Sequence, residues 1–147
     1  MSSLLRRSRP AAALLLPAVL ALAGCGWLSG ETSAGTPEER TAGIRAEIER
    51  ELTARDGVTA AEVRYRDDLT VSGTAAVDVT VQPDADAEAV YDEALRLVWD
   101  SDLEPLDVIA VSVIDPADPP SGISRTVNLL DEAQRDAVED ELGTRAD

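Results

Sequence analysis

The most regular pattern in this chain is an alternation in its middle. Every second residue from Leu69 to Val81 is apolar or glycine, and most residues between them are Ser, Thr or Asp. A period of two predicts a β-strand with one buried face. A shorter alternation just before it predicts another strand, with Val63 and Tyr65 inward and Glu62, Arg64 and Arg66 outward.

The two predicted strands form a hairpin. Both carry their inward residues at odd numbers, and directly opposed residues share one face of a sheet. This parity predicts a loop of three or five residues that includes Asp67 and Asp68.

Three other segments have the apolar spacing of helices. The first opens with a capping box from Thr36 to Glu39, with proline in its first turn, and Gly57 supplies its stop. The second begins after Pro83 and Asp84. The third begins at Asp131, with Gln134 three residues on, and ends at Gly143. The predicted inward residues are Ile44, Ile48 and Leu52 in the first helix and Ala87, Val90, Tyr91, Ala94, Leu97 and Val98 in the second.

The remaining apolar segments complete the fold prediction. The nearly continuous run from Val108 to Ile114 predicts a central strand covered on much of both faces, and Ile123, Val127 and Leu129 predict a fourth strand. The element order is then αββαββα within a single α+β domain over residues 37–147. We expect a two-layer sandwich, in which a four-stranded, mostly antiparallel sheet has its helices on one face.

The first 25 residues have the three-part pattern of an export signal. Arg6, Arg7 and Arg9 precede an apolar run over residues 11–23 that is shorter than the roughly 20 residues of a membrane-spanning helix. The run ends in Leu22-Ala23-Gly24-Cys25, which resembles the lipobox of bacterial lipoprotein precursors. An ordinary secretory signal is the alternative. The arginine pair also permits export by the twin-arginine route instead of the Sec route.

The lipobox resemblance implies a processing pathway and a location. Leu22, Ala23 and Gly24 would be recognised by the signal peptidase, which removes residues 1–24. Cys25 would carry a covalent diacylglycerol with acyl chains such as palmitate. Residues 25–36 read as a flexible linker, which would leave the domain lipid-anchored at the extracytoplasmic face of the cell membrane.

Composition removes several kinds of chemistry. The chain has no His, and all 13 of its basic residues are Arg, which excludes a Ser-His-Asp triad, an imidazole metal site and a Lys Schiff base. The formal net charge is −16, and loss of the three signal arginines would make it −19. Such a charge opposes binding to nucleic acid and to anionic lipid headgroups.

Two further resemblances concern the class of protein. The chain uses arginine to the exclusion of lysine and is rich in Ala and Asp. In this it is similar to small actinobacterial lipoproteins of uncharacterised role. The apolar stripe of the first helix and the segment Leu69 to Gly73 resemble the BON domain of bacterial envelope proteins. The predicted strand departs from that domain by running about eight residues past Gly73, so no functional residue is carried across.

Three acidic segments are candidates for chemistry. Asp67-Asp68 would serve either a hairpin turn or a carboxylate pair. The segment from Asp84 to Glu88 begins like a calcium loop, but Ala89 and Leu95 stand where the turn glycine and the bidentate glutamate belong. Helix capping explains the same acids. The third candidate is a stiff, extended proline loop formed by Asp115, Pro116, Asp118, Pro119 and Pro120. It would serve either as a partner-binding loop or as a plain solubilising connection.

The functional prediction follows from the anchor and these exclusions. We expect a non-enzymatic binding module that contacts an envelope protein or cell-wall partner, with no cofactor beyond the diacylglycerol on Cys25 and no metal. The alternatives are a small carboxylate-dependent hydrolase of envelope polysaccharide and a calcium-responsive module. Arg64, Arg66 and Arg125 are expected to point outward and to form internal ion pairs.

Overall fold

The computed structural model describes residues 35–145. The predicted signal segment, the lipobox with Cys25, and the linker as far as residue 34 lie outside the described residues. The elements are α1 (Pro37–Thr53), β1 (Val58–Asp68), β2 (Val71–Val81), α2 (Ala87–Trp99), β3 (Val108–Ile114), β4 (Ile123–Asn128) and α3 (Glu132–Leu142), with a 3₁₀ turn at Pro119–Ser121. The predicted order αββαββα is confirmed.

The four strands form one sheet in the order β1-β2-β3-β4. The β1/β2 and β3/β4 pairs are antiparallel, whereas β2 and β3 are parallel and are joined through α2. The sheet is therefore mixed, with antiparallel pairs in the majority as predicted. None of the helices between residues 35 and 145 is long and apolar enough to cross a membrane.

The helices and the odd-numbered face of the sheet enclose one core. The buried core residues of the described part of the chain all lie between Ile48 and Val138, and we expect residues 35–147 to fold on their own. The even-numbered face is open: Ala110 and Ser112 are half-buried, and Ile114 is exposed. The prediction that β3 is covered on both faces is therefore wrong, because the helical layer covers one face.

The β1–β2 hairpin corrects the predicted loop length. Its loop has two residues, Leu69 and Thr70, so Asp67 and Asp68 end β1 instead of lying in the loop as predicted. Leu69 is fully exposed instead of inward. Odd-numbered residues of the two strands still lie opposite each other along most of the hairpin, as Val63 and Val77 do. A shift in register near Arg66 adds one residue to β2, and this irregularity makes an even-numbered loop compatible with the parity of the strands.

Local sequence signals explain the helix ends. The capping box is present: the Thr36 hydroxyl accepts the Glu39 N–H at 3.2 Å, and the Glu39 carboxylate accepts the Thr36 N–H at 2.8 Å. In α2 the buried face also includes Leu95 and Trp99, which the predicted inward residues omit. The indole N–H of Trp99 donates to the Gly143 carbonyl at 3.0 Å, which fastens the chain after α3 to the end of α2.

The register gives the domain two distinct ends. We call the end with the Leu69-Thr70 turn the hairpin end; α1 also begins there, since Pro37 and Glu38 line one cavity with Asp67. The opposite end, which we call the loop end, carries the exit of β2 at Val81, the exit of β3 at Ile114 and the entry of β4. The proline loop between β3 and β4 therefore lies at the loop end.

Candidate functional site

The proline loop is compact, and the prediction of an extended loop is wrong. The Asp115 carboxylate accepts the Ala117 N–H at 2.8 Å, and the Asp118 N–H donates to the Asp115 carbonyl at 3.2 Å. Ser121 then donates its N–H and its hydroxyl to the Asp118 carbonyl, at 3.0 and 2.8 Å. Short polar side chains bond local backbone readily, and here they fold the loop into two consecutive turns.

Gly122 allows this loop to return to the sheet. A Cβ at this position would lie 2.9 Å from the Val113 carbonyl oxygen and 3.2 Å from the Pro119 carbonyl oxygen. The Gly122 N–H also donates to that Pro119 carbonyl at 3.1 Å. A side chain here would force β3 and the 3₁₀ turn apart.

A cavity of about 400 Å³ separates the proline loop from the turn after β2. The structure thus brings two of the predicted candidates together, since Asp84 lies on one side of the cavity and Asp115 and Asp118 on the other. Asp84 has φ 67°, a left-handed conformation that Asp tolerates better than most residues. Pro116, Pro119 and Pro120 are exposed beside this cavity.

Capping accounts for one of the acids that resembled a calcium loop. Asp86 is the N-cap of α2 and accepts the Ala89 N–H at 3.1 Å. Asp115 uses one carboxylate oxygen within its own turn. Among residues 35–145 there is no cluster of three or more His, Cys, Asp or Glu side chains placed to hold a metal ion.

The acids at the hairpin end line the other notable cavity, of about 520 Å³, together with Arg45, Tyr65 and Arg66. Asp68 accepts both the Thr70 hydroxyl and the Thr70 N–H, at 2.5 and 2.8 Å, and these hydrogen bonds lower its pKa. A general acid of the glycosidase type requires a raised pKa. The lowered pKa of Asp68 is the opposite of the shift that a general acid requires.

The three candidate arginines form the expected internal ion pairs. Arg64 pairs with Asp78 across the hairpin, and Arg66 lies 3.8 Å from the Asp68 carboxylate. Arg125 contacts both carboxylate oxygens of Glu88, at 2.6 and 2.8 Å. These side chains are 49–70% exposed, so each pair adds little stability.

The predicted direction of Arg125 is wrong. Its strand position lies opposite Val111, on the helix-covered face, and its guanidinium stands 4.8 Å from the ring centre of Tyr91 in α2. The Glu88 carboxylate raises the pKa of Arg125, while burial raises the pKa of Tyr91. The sequence pattern contains the signal for this, because Arg125 has the same parity as Ile123 and Val127, and its long side chain reaches past the core to its partner.

No protein family model, curated protein or solved structure matches this chain.

Proposed function

We propose that the protein is a membrane-anchored, extracytoplasmic lipoprotein that acts as a non-enzymatic binding module and presents its proline loop to an envelope protein or cell-wall partner. The observation that carries the proposal is the placement of the two ends of the domain. The helix that follows the linker begins at the hairpin end, and the proline loop lies at the loop end.

The distance between the ends suits a tethered module. The 11 residues of β2 cover about 35 Å from the hairpin end to the loop end. A linker over residues 25–36 has a reach of roughly 15–20 Å, so an anchor at Cys25 would hold the hairpin end nearer the membrane. The loop would then stand well beyond the Debye length of about 10 Å over which lipid charge acts.

The loop itself favours binding to a partner. Pro116, Pro119 and Pro120 are exposed, and the hydrogen bonds centred on Asp115 and Asp118 already order the backbone that carries them. A preordered loop loses little conformational entropy when a partner binds. An exposed loop at the end of a rigid sheet is also a common location for recognition.

The anchor is tested by Cys25→Ser in the full chain. We expect the variant to lose both fatty-acid labelling and partitioning into the membrane fraction, because the acyl chains attach to this sulfur. Ser29→Ala, a linker substitution outside the lipobox, is the control and should retain both. Membrane partitioning of Cys25→Ser equal to that of the unaltered chain would contradict the lipoprotein assignment.

Partner binding is tested by crosslinking in cells. A photoreactive amino acid replaces Ala117 in the proline loop, and a second variant carries it at Thr70 in the hairpin end. We expect a discrete crosslinked partner from position 117 that is absent from position 70. The same adducts from both positions, or none from position 117, would contradict the proposed role of the loop.

A further inference from the structure

The two edges of the sheet differ in how their backbone groups are covered. On the β1 edge, the Val63 N–H donates to the Glu49 carboxylate of α1 at 2.8 Å. The Val63 carbonyl accepts from the Arg45 guanidinium at 3.4 Å. Side chains of α1 thus bond the middle of the β1 edge and block it between Ala61 and Tyr65, whose outward backbone groups have no partner within residues 35–145. A side chain placed across the middle of an edge is a common protection against further strand pairing.

On the β4 edge, the pairing with β3 determines which backbone groups point outward. The Leu129 N–H donates to the Asp107 carbonyl at 2.8 Å, so the odd-numbered residues of β4 bond to β3. The N–H and C=O groups of Ser124, Thr126 and Asn128 therefore point away from the sheet.

Only one of these three residues is covered by its own chain. The Asn128 N–H donates to the Gln134 side chain at 3.0 Å, and the Asn128 carbonyl accepts the Asp131 N–H at 3.1 Å. Within residues 35–145, no backbone or side-chain group bonds the outward N–H and C=O of Ser124 and Thr126. Two donors and two acceptors remain open at the middle of the edge.

Charge singles out the same edge. No acid occurs from Pro119 to Leu130, the longest acid-free stretch of residues 35–145 in a chain with 29 acids. The one charged residue of β4 is Arg125, whose guanidinium is held by Glu88 of the same chain. Two β4 edges therefore meet without acids from the strands themselves, and each Arg125 brings Glu88 of its own chain as a counter-charge.

We propose that two copies of this chain associate through their β4 edges as antiparallel strands, with the two-fold axis at Arg125. Ser124 of each copy then lies opposite Thr126 of the other, and both belong to the outward set. All four open groups on each copy are bonded by this arrangement, which gives four hydrogen bonds across the axis.

Neighbouring registers satisfy fewer groups. An axis at Thr126 places Ser124 opposite Asn128, whose N–H already bonds to Gln134. An axis at Ser124 places Thr126 opposite Gly122, whose N–H already bonds to Pro119. A two-fold axis that passes between two adjacent residues places a residue whose backbone groups point away from the sheet opposite one whose groups bond to β3. The axis at Arg125 is therefore the register that the open groups select.

The test uses residues 35–147, which contain the core described above and omit Cys25. Sedimentation equilibrium is measured from about 10 μM to about 1 mM for the unaltered chain, Thr126→Pro and Thr126→Ser. Proline removes only an outward N–H, so it leaves the bonds to β3 intact. We expect the unaltered chain and Thr126→Ser to dimerise, and Thr126→Pro to associate about ten- to a hundredfold more weakly, since two hydrogen bonds per dimer are lost.

A peptide of residues 122–130 gives a second readout that does not depend on a folded proline variant. The unmodified peptide should compete with dimerisation and slow amide exchange at Ser124 and Thr126, and the peptide N-methylated at Thr126 should do neither. A chain that stays monomeric throughout the concentration range overturns the proposal. Equal dimerisation of a folded Thr126→Pro, or equal competition by both peptides, also overturns it.

Discussion

Glu93 lies between two arginines and is only 15% exposed. Its carboxylate oxygens are 2.7 and 3.1 Å from Arg96 nitrogens, and it also pairs with Arg55, which follows α1. Hydrogen bonds from Arg96 lower the pKa of Glu93 to about 2; burial opposes this shift and Arg55 adds to it. Because this value lies below the ordinary 4.5, the interaction stabilises the fold above pH 4.5. The stabilisation is lost as the pH falls from 4.5 towards 2.

Glu93→Gln tests this assignment. We expect it to lower the free energy of unfolding at pH 7 by about 1–2 kcal/mol, a figure reduced because both arginines are exposed to solvent. The variant should also lose stability less steeply than the unaltered chain between pH 4.5 and 2. Urea denaturation at a series of pH values measures both effects.

The exposed pair of Glu47 and Arg50 supplies the control. Glu47→Gln should change the free energy of unfolding by less than about 0.5 kcal/mol. If the free energy of unfolding of Glu93→Gln depended on pH in the same way as that of the unaltered chain, the loss of stability between pH 4.5 and 2 would come from other carboxyl groups.

Gly73 is required by a close approach of two backbone segments. A Cβ at this position would lie 2.0 Å from the Pro105 carbonyl oxygen, a backbone atom that cannot rotate away. The Gly73 N–H donates to the Asp107 carboxylate at 3.0 Å, and the Gly73 carbonyl accepts the Asp107 N–H at 2.7 Å. These contacts fasten the segment before β3 to β2.

We expect Gly73→Ala to lower the free energy of unfolding by about 2–4 kcal/mol, because β2 and the Pro105 segment must separate. Gly43, inside α1, is the matched control, since a Cβ there meets nothing within 4 Å. Gly43→Ala should raise stability by up to about 1 kcal/mol. Thermal unfolding of both variants measures the contrast, and similar losses in the two would contradict the steric explanation.

At the scale of elements, period and capping predicted the fold well. The alternation in β2 and the capping box at Thr36 are local properties, and the structure has both. The compact shape of the proline loop could not be predicted. It depends on hydrogen bonds that Asp115 and Asp118 accept from Ala117 and Ser121, and the sequence allows other turns with other bonds equally well. The cavity beside Asp84 depends on strand register, which no local pattern contains.

A carboxylate of α1 protects the β1 edge, and we expect its removal to lower stability. Glu49→Ala takes away the acceptor of the Val63 N–H. We expect a loss of about 1–2 kcal/mol in the free energy of unfolding, because a partly buried donor is left without a partner. Glu51→Ala, an exposed α1 residue, is the control and should have little effect on stability.

Amide exchange gives a second measurement of this edge. The Val63 amide should exchange faster in Glu49→Ala, while amides in the middle of β3 keep their protection. Unchanged exchange at Val63 would mean that the carboxylate does not bond this N–H in solution.

At the scale of the whole molecule, the excess of acids sets the response to salt. Residues 35–147 carry 10 arginines and 28 acids, a formal net charge of −18, and the ion pairs of the described residues are mostly exposed, so like-charge repulsion outweighs the attraction that salt also screens. We expect the melting temperature of residues 35–147 to rise by several degrees when NaCl increases from about 0.05 M to about 0.5 M.

Divalent cations separate this general effect from a specific site. At equal ionic strength, CaCl₂ and MgCl₂ should raise the melting temperature by similar amounts, because screening does not discriminate between them. A ligand that binds the native state selectively must raise the melting temperature further. An additional rise with calcium, removed by Asp84→Asn together with Asp118→Asn, would contradict pure screening and identify the cavity at the loop end as a calcium site. A fall in melting temperature with NaCl would instead mean that the surface ion pairs outweigh the repulsion among the acids.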